Sequence, residues 1–206
     1  MIRTTTIETV IEKGFKGIKM TENISRRDLT TESAGKGLVQ IFTGEGKGKT
    51  SAAMGTIMRA LGHDLRVSVI FFLKGEYAYG ERKILARLAG VTIKSFGGED
   101  FVFPERVKPE QKALAAQALA AARTDMLSGN FDLVVLDEIN VACAFKLVPV
   151  EEVLQLIEEK PEKVELILTG RKADARLVQA ADLVTEMIKI KHPYDAGQPA
   201  RPGFDY

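Results

Sequence analysis

The sequence predicts an α/β fold in three layers, a mainly parallel central sheet with helices on both faces, and three observations carry that prediction. From residue 37 onward, short apolar and β-branched runs alternate with segments of helical period. A glycine-rich turn, Gly44-Glu45-Gly46-Lys47-Gly48-Lys49-Thr50-Ser51, joins the first apolar run to the first helix. A continuous apolar run, "FDLVVLDEI" at 131–139, ends in two carboxylates, as does a central strand buried on both faces with its polar end at the C-terminus.

Taken in order, 37–44 reads as a buried strand entering the glycine turn. The helix after it places Met54, Ile57, Met58 and Leu61 on one apolar stripe, with Gly62 as its stop. "RVSVIFFL" (66–73) is a second strand; 80–89 suits a helix ended by Gly90, and 91–96 a third strand. Pro109 opens a long alanine-rich helix to about Leu127, closed by Ser128-Gly129-Asn130. After the strand at 131–139, Pro149 starts a helix with Val150, Val153, Leu154 and Ile157 on one stripe, ended by Pro161. "VELILTGR" (164–171) is a fifth strand, 177–181 a short helix and 183–190 a last strand. Residues 1–36 differ in composition, rich in Thr, Lys, Arg and Glu. They read either as a poorly ordered arm or as an arm that orders over a partner or ligand, so the expected division is 1–36 and 37–206. There is no internal repeat.

Composition excludes several classes. The 206 residues carry 29 basic and 28 acidic side chains, a net charge of +1, which provides no general field for nucleic acid or an anionic membrane. The longest apolar run, 67–73 broken by Ser68, is far shorter than a membrane span. The N-terminus shows no secretory pattern. A single cysteine, Cys143, permits no intrachain disulfide and fits a reducing compartment, so a soluble cytoplasmic protein is expected. His63 and His192 lack metal-ligand spacing.

Chemistry concentrates where parallel sheets bind ligands, at the C-terminal ends of strands. In the 44–51 turn, Gly44, Gly46 and Gly48 allow backbone N–H groups to converge on an anion at a helix N-terminus. Lys49 can reach phosphate oxygens and Thr50 suits Mg²⁺. The strict phosphate-loop pattern wants glycine where Thr43 stands, and Lys47 is an additional cation inside the turn. Asp137 and Glu138 can hold Mg²⁺ directly or through water; adjacent residues of a continuing strand face opposite sides, and spacing does not choose between them. Arg171 in "LTGRKA" reads either as a phosphate partner or as a surface arginine. Phe101 and Phe103 in "EDFVFPERV" point the same way in an extended segment. Read from the residues alone they favour core packing over an apolar wall for a flat ligand. Lys74 and Glu81 read either as site residues or as solvent-facing charges. N-K-x-D and D-x-x-G patterns of GTPases are absent, and the pattern favours a small ATP-using enzyme.

From about Gly37 to Tyr206 the chain resembles the P-loop ATP:corrinoid (cob(I)alamin) adenosyltransferases. The matching segments are "FTGEGKGKTSAAMG", "FLKGEYAYGE", "DLVVLDEIN", "LTGRKA", "ADLVTEM" and "KHPYDAGQPARPGFDY", in that order. The loop of that family also reads T-G-x-G-K-G-K-T, which makes Thr43 and Lys47 family features. The resemblance implies a P-loop (RecA-like) three-layer fold. It also implies transfer of the 5′-deoxyadenosyl group of ATP to a Co(I) corrinoid with loss of triphosphate, in cobalamin biosynthesis or salvage. It makes Lys47, Lys49 and Glu138 catalytic and gives ATP to Gly44, Glu45, Gly46, Lys47, Gly48, Lys49, Thr50, Ser51 and Arg171. It gives Mg²⁺ to Thr50 with Asp137 or Glu138. It moves Phe101 and Phe103 to the corrinoid, reversing the reading from the residues alone; the family often has tryptophan where Phe103 stands. An electron-donating reductase and a homodimer are the implied partners. The readings it displaces are an ATP-hydrolysing or phosphoryl-transferring enzyme in which Glu138 activates water or an acceptor, and a corrinoid-delivering binding protein.

Overall fold

The computed structural model describes residues 35–75, 79–98 and 102–205. Among these, the strands are β1 (Val39–Thr43), β2 (Val67–Phe72), β3 (Val91–Phe96), β4 (Leu133–Asp137), β5 (Glu165–Thr169) and β6 (Leu183–Glu186). They form one sheet in the order β3-β2-β4-β5-β1-β6, with every pairing parallel. The helices are α1 (Lys49–Leu61), α2 (Gly80–Leu85), α3 (Pro109–Leu127), α4 (Ile139–Ala144), α5 (Val150–Glu158) and α6 (Ala175–Ala180).

The three layers follow from the period-2 alternation of buried strands. On β2, Val69 and Phe71 join a core with Ala53, Ile57 and Ala60 of α1 and Leu85 of α2. Ile70 and Phe72, pointing the other way, join Ala118, Leu119 and Ala122 of α3, Ile139 of α4, Leu156 of α5 and Leu177 of α6. The expected α/β architecture with a parallel sheet is therefore observed. The run of alanines on α3 is its packing face: Ala115, Ala118 and Ala122 are buried, and small side chains let the helix lie close to the sheet.

The structure differs from expectation at several places. The buried stripe of α1 is Ala53, Ile57 and Ala60, whereas Met58 is 54% exposed; alanines seat the helix closer to the strands than methionines would. The segment 80–89 is helical only to Leu85. The strand at 131–139 stops at Asp137, because Glu138 turns through a left-handed conformation (φ 65°) directly into α4. Helix α4 has sequence INVACA, whose β-branched residues carry little helical signal. The last strand is shorter, Leu183–Glu186, because its ladder on β1 runs out where β1 turns into the glycine loop. Cys143 on α4 is buried, and burial pushes its thiol up to about 12, which leaves it inert at neutral pH.

Candidate active site

Strand order decides what meets at the C-terminal edge. Along β2-β4-β5-β1 the strand ends present Lys74, Asp137, Thr169 and the glycine loop in a row. These groups are joined by hydrogen bonds. The Lys74 ammonium donates to Asp137 Oδ2 at 2.5 Å. Thr169 Oγ1 and Thr50 Oγ1 donate to Asp137 Oδ1 at 2.6 and 3.0 Å. Both oxygens of this wholly buried carboxylate are occupied, as a buried charge requires. The Glu138 N–H in turn donates to Thr169 Oγ1 at 3.0 Å, which ties the first backbone group of the β4 exit to β5.

The loop between β1 and α1 wraps tightly. Gly44 has φ 97°, and a Cβ there would lie 2.4 Å from the Met187 carbonyl oxygen. Gly48, the residue before α1, has φ 120°; both positions favour glycine. The Lys49 ammonium folds back to the carbonyls of Gly44 and Gly46, each at 2.7 Å. Burial lowers its pKa, and Arg171 adds to this, while Glu138 pulls the other way. Thr43 has a partner of its own, since its hydroxyl accepts the Ala173 N–H at 3.3 Å. The residue that departs from the strict loop pattern therefore links the end of β1 to the turn after β5.

Glu138 stands apart from its neighbour. Its carboxylate lines a cavity of about 580 Å³ together with Thr50, Ser51, Lys74 and Lys47. Among the described residues it has no hydrogen-bond partner in the structure, and it is delivered there by a backbone conformation that non-glycine residues adopt at a cost of about 1–3 kcal/mol. Burial and the adjacent Asp137 push its carboxyl above the usual glutamate range, against the pull of Lys74, Lys49 and Arg171. Lys74 moves the opposite way from an ordinary buried lysine: burial lowers its pKa, but Asp137 and Glu138 outweigh burial and raise it.

The C-terminal tail closes the other side. The Lys47 ammonium donates to the Phe204 carbonyl at 2.5 Å and pairs with Asp205, which also accepts from Arg201. Lys47 and Asp205 line both the 580 Å³ cavity and a second one of about 500 Å³ against Ile188, His192 and Tyr194. The sequence marks this tail as distinctive, dense in Pro and Gly and resembling the family's ending, without making any of it part of a site. Thr169-Gly170-Arg171 reads in the sequence as a polar cluster at the functional edge, but a role is assigned there to Arg171 and none to Thr169, and Lys74 stays open.

Other expected site residues are placed less centrally. Arg171 and Glu45 form an exposed pair at 3.7 Å above the loop. Phe103 is 59% exposed and borders a hollow of its own with Glu105 and Arg106, so it does not pack in the core. Phe101 lies outside the described residues.

A cavity at the C-terminal edge of a parallel sheet, walled by a glycine loop, lysines and carboxylates, defines a nucleotide-binding α/β protein. Comparison with known proteins places it more closely. Residues 35–206 match the family model described as ATP:corrinoid adenosyltransferase BtuR/CobO/CobP. A corrinoid adenosyltransferase of Sinorhizobium sp is 35% identical over 193 residues, 92% of this chain and 90% of the relative. One from Escherichia coli (strain K12) is 36% identical over 171 residues, covering 83% and 86%. The corrinoid adenosyltransferase CobA of Salmonella typhimurium is 34% identical over 171 residues, covering the same shares. The chain belongs to the ATP:corrinoid adenosyltransferases, a family of transferases whose substrates are ATP and a corrinoid. Among the described residues no helix is long and apolar enough to cross a membrane.

Proposed function

We propose that this chain transfers the 5′-deoxyadenosyl group of ATP to the cobalt of a Co(I) corrinoid. The Co(I) electron pair forms the Co–C5′ bond, the C5′–O bond breaks, and triphosphate leaves with that bond's electrons. Because the leaving group carries the charge of three phosphates, the site has to supply cations along its whole length rather than at one end.

The observation that carries the reading is the row Lys74–Asp137–Thr169–Thr50 beside a loop with two lysines. Loop N–H groups at the start of α1 and Lys49 bind phosphate oxygens; Lys49 leaves its two carbonyl partners to do so. Lys47, at the boundary of the two cavities, exchanges Asp205 for the triphosphate. Glu45, Ser51 and Arg171 complete the rim. Mg²⁺, when bound, would supply neutralising charge for the leaving phosphates. Thr50 and Glu138 fit its requirements, since Mg²⁺ takes one or two protein carboxylates and fills its shell with water and phosphate. The occupied oxygens of Asp137, and a Glu138 carboxylate with no hydrogen-bond partner among the described residues, support Glu138 as the direct ligand. The exposure of Phe103 supports a place for it, with Phe101, against the flat macrocycle, where aromatic side chains exclude an axial water from cobalt.

The reading extends to an electron-donating reductase as supplier of Co(I), to a cytoplasmic setting, and to a homodimer. Sedimentation velocity checks the dimer. The chemistry is tested by anaerobic incubation of the pure protein with Mg-ATP, a chemical reductant and cobinamide. The expected result is a light-sensitive Co–C product with one triphosphate released per product. Release of orthophosphate or ADP instead means hydrolysis or phosphoryl transfer, and tight corrinoid binding without product means a delivery protein.

A further inference from the structure

The turn after β2 brings a lysine to the site by a strained route. Leu73 takes φ 61°, in the left-handed region that a branched residue occupies only when its surroundings impose it. Glu138 does the same at the end of adjacent β4, with φ 65°. Lys74, delivered by the first turn, is bonded to Asp137, the last residue of β4, which the second turn follows. The turn is also fixed from behind. The Arg82 guanidinium donates to the carbonyls of Lys74 and Gly75 at 3.0 and 2.6 Å and lies 4.5 Å from the centre of the Phe71 ring. At Gly75 there is no room for a side chain, since a Cβ would come 2.2 Å from the Gly98 carbonyl oxygen.

Stability alone does not account for this arrangement. A buried ion pair returns in attraction about what its desolvation takes, and a packed apolar pair serves a core at least as well. A strained turn at Leu73 and an arginine clamp, spent on a pair 12% and 0% exposed beside the nucleotide cavity, fit a demand for position instead.

We infer that Lys74 is a positioning residue for the reaction, holding Asp137 by Oδ2 so that Oδ1 stays on the Thr50 hydroxyl and the cation falls to Thr50 and Glu138. Lys74 acts through Asp137 and does not itself touch the substrate. Without it, Asp137 turns Oδ2 toward the cavity and competes for the cation, and the Thr50 hydroxyl loses its fixed direction. The inference rests on the proposed assignment of Thr50 and Glu138 to Mg²⁺.

The test is calorimetric titration of the full-length protein with ATP, in EDTA and across a Mg²⁺ series, with urea unfolding alongside, for Lys74→Met, Lys74→Gln and Lys74→Arg. In Lys74→Met the Mg²⁺ concentration for half-maximal enhancement of ATP binding rises about tenfold, as when a partner of a metal ligand is removed, while ATP affinity in EDTA stays within about threefold. Lys74→Arg restores the Mg²⁺ requirement to within about threefold of the parent. An unchanged Mg²⁺ requirement in Lys74→Met makes the pair merely structural and overturns the inference. An equal loss of affinity in EDTA overturns it too, by making Lys74 a direct phosphate ligand. If Lys74→Met does not unfold cooperatively, Lys74→Gln, which keeps an N–H toward Asp137 without the charge, is judged by the same two outcomes. A parent protein whose ATP binding ignores Mg²⁺ removes the cation assignment and the inference together, and this shows before any variant is compared.

Discussion

The sheet edge and the C-terminal tail wall the same cavity and are built in opposite ways. At the edge, Asp137 is wholly buried and receives three donors from three different elements, β5, α1 and the turn after β2. At the tail, Lys47 and Asp205 are 47% and 23% exposed, and their neighbours Tyr194 and Phe204 stand in solvent. A carboxylate held in low dielectric by several donors keeps one geometry; an exposed ion pair is screened and exchanges partners at little cost. The edge is therefore suited to hold a leaving triphosphate in fixed register, and the tail to give up its contacts when substrate arrives.

The contrast can be broken at several points. Lys49→Ala should lower kcat by on the order of 10³-fold, equivalent to about 4 kcal/mol of transition-state stabilisation, with the unfolding midpoint little changed. Single-turnover rates with preformed Co(I) measure it; retention of a tenth of the rate would place the essential cation elsewhere. Asp137→Ala should lower the unfolding free energy by about 3 kcal/mol in urea, because Lys74 is left buried without its counter-charge.

Glu138→Gln tests, between these extremes, the strained acid that has no hydrogen-bond partner among the described residues. The native carboxyl is held above the usual value of 4.5, so between that value and the raised one the folded state binds more protons than the unfolded chain. Stability of the protein without Mg²⁺ therefore falls as pH rises through that window. The glutamine variant should abolish that slope and gain on the order of 1 kcal/mol at neutral pH while losing turnover. A parent whose stability rises across the same window would contradict a half-buried Glu138 without a hydrogen-bond partner among the described residues. Asp205→Ala should have the smallest effect, leaving the melting temperature unchanged and ATP affinity within about threefold. A large drop in melting temperature would show that the tail is as fixed as the edge.

The elements legible in the sequence were those with strong local signals. Strand β3 at 91–96 and helix α3 at 109–127 match the reading at both ends, because β-branched residues, Pro109 and the Ser128-Gly129 stop act within a few residues of themselves. Helix α4 was not legible, since it follows from the left-handed turn at Glu138 and not from its own composition. The same turn settled what spacing had left open at 137–138. A continuing strand would have sent the two carboxylates to opposite faces; instead Asp137 closes the strand in the core and Glu138 leaves it toward the cavity.

By itself, the sequence determined the α/β class, the glycine loop and the family, because apolar period, turn glycines and ordered motifs are properties of neighbouring residues. Only the tertiary structure decided that Lys74, Thr169 and Thr50 share one carboxylate, that Thr43 receives a backbone bond from Ala173, and that Lys47 is tied to the tail. Those contacts join residues far apart in the chain, and they exist because the order β2-β4-β5-β1 sets four strand ends side by side. Hydrogen bonds act over about 3 Å and so depend on that order, which no local pattern records.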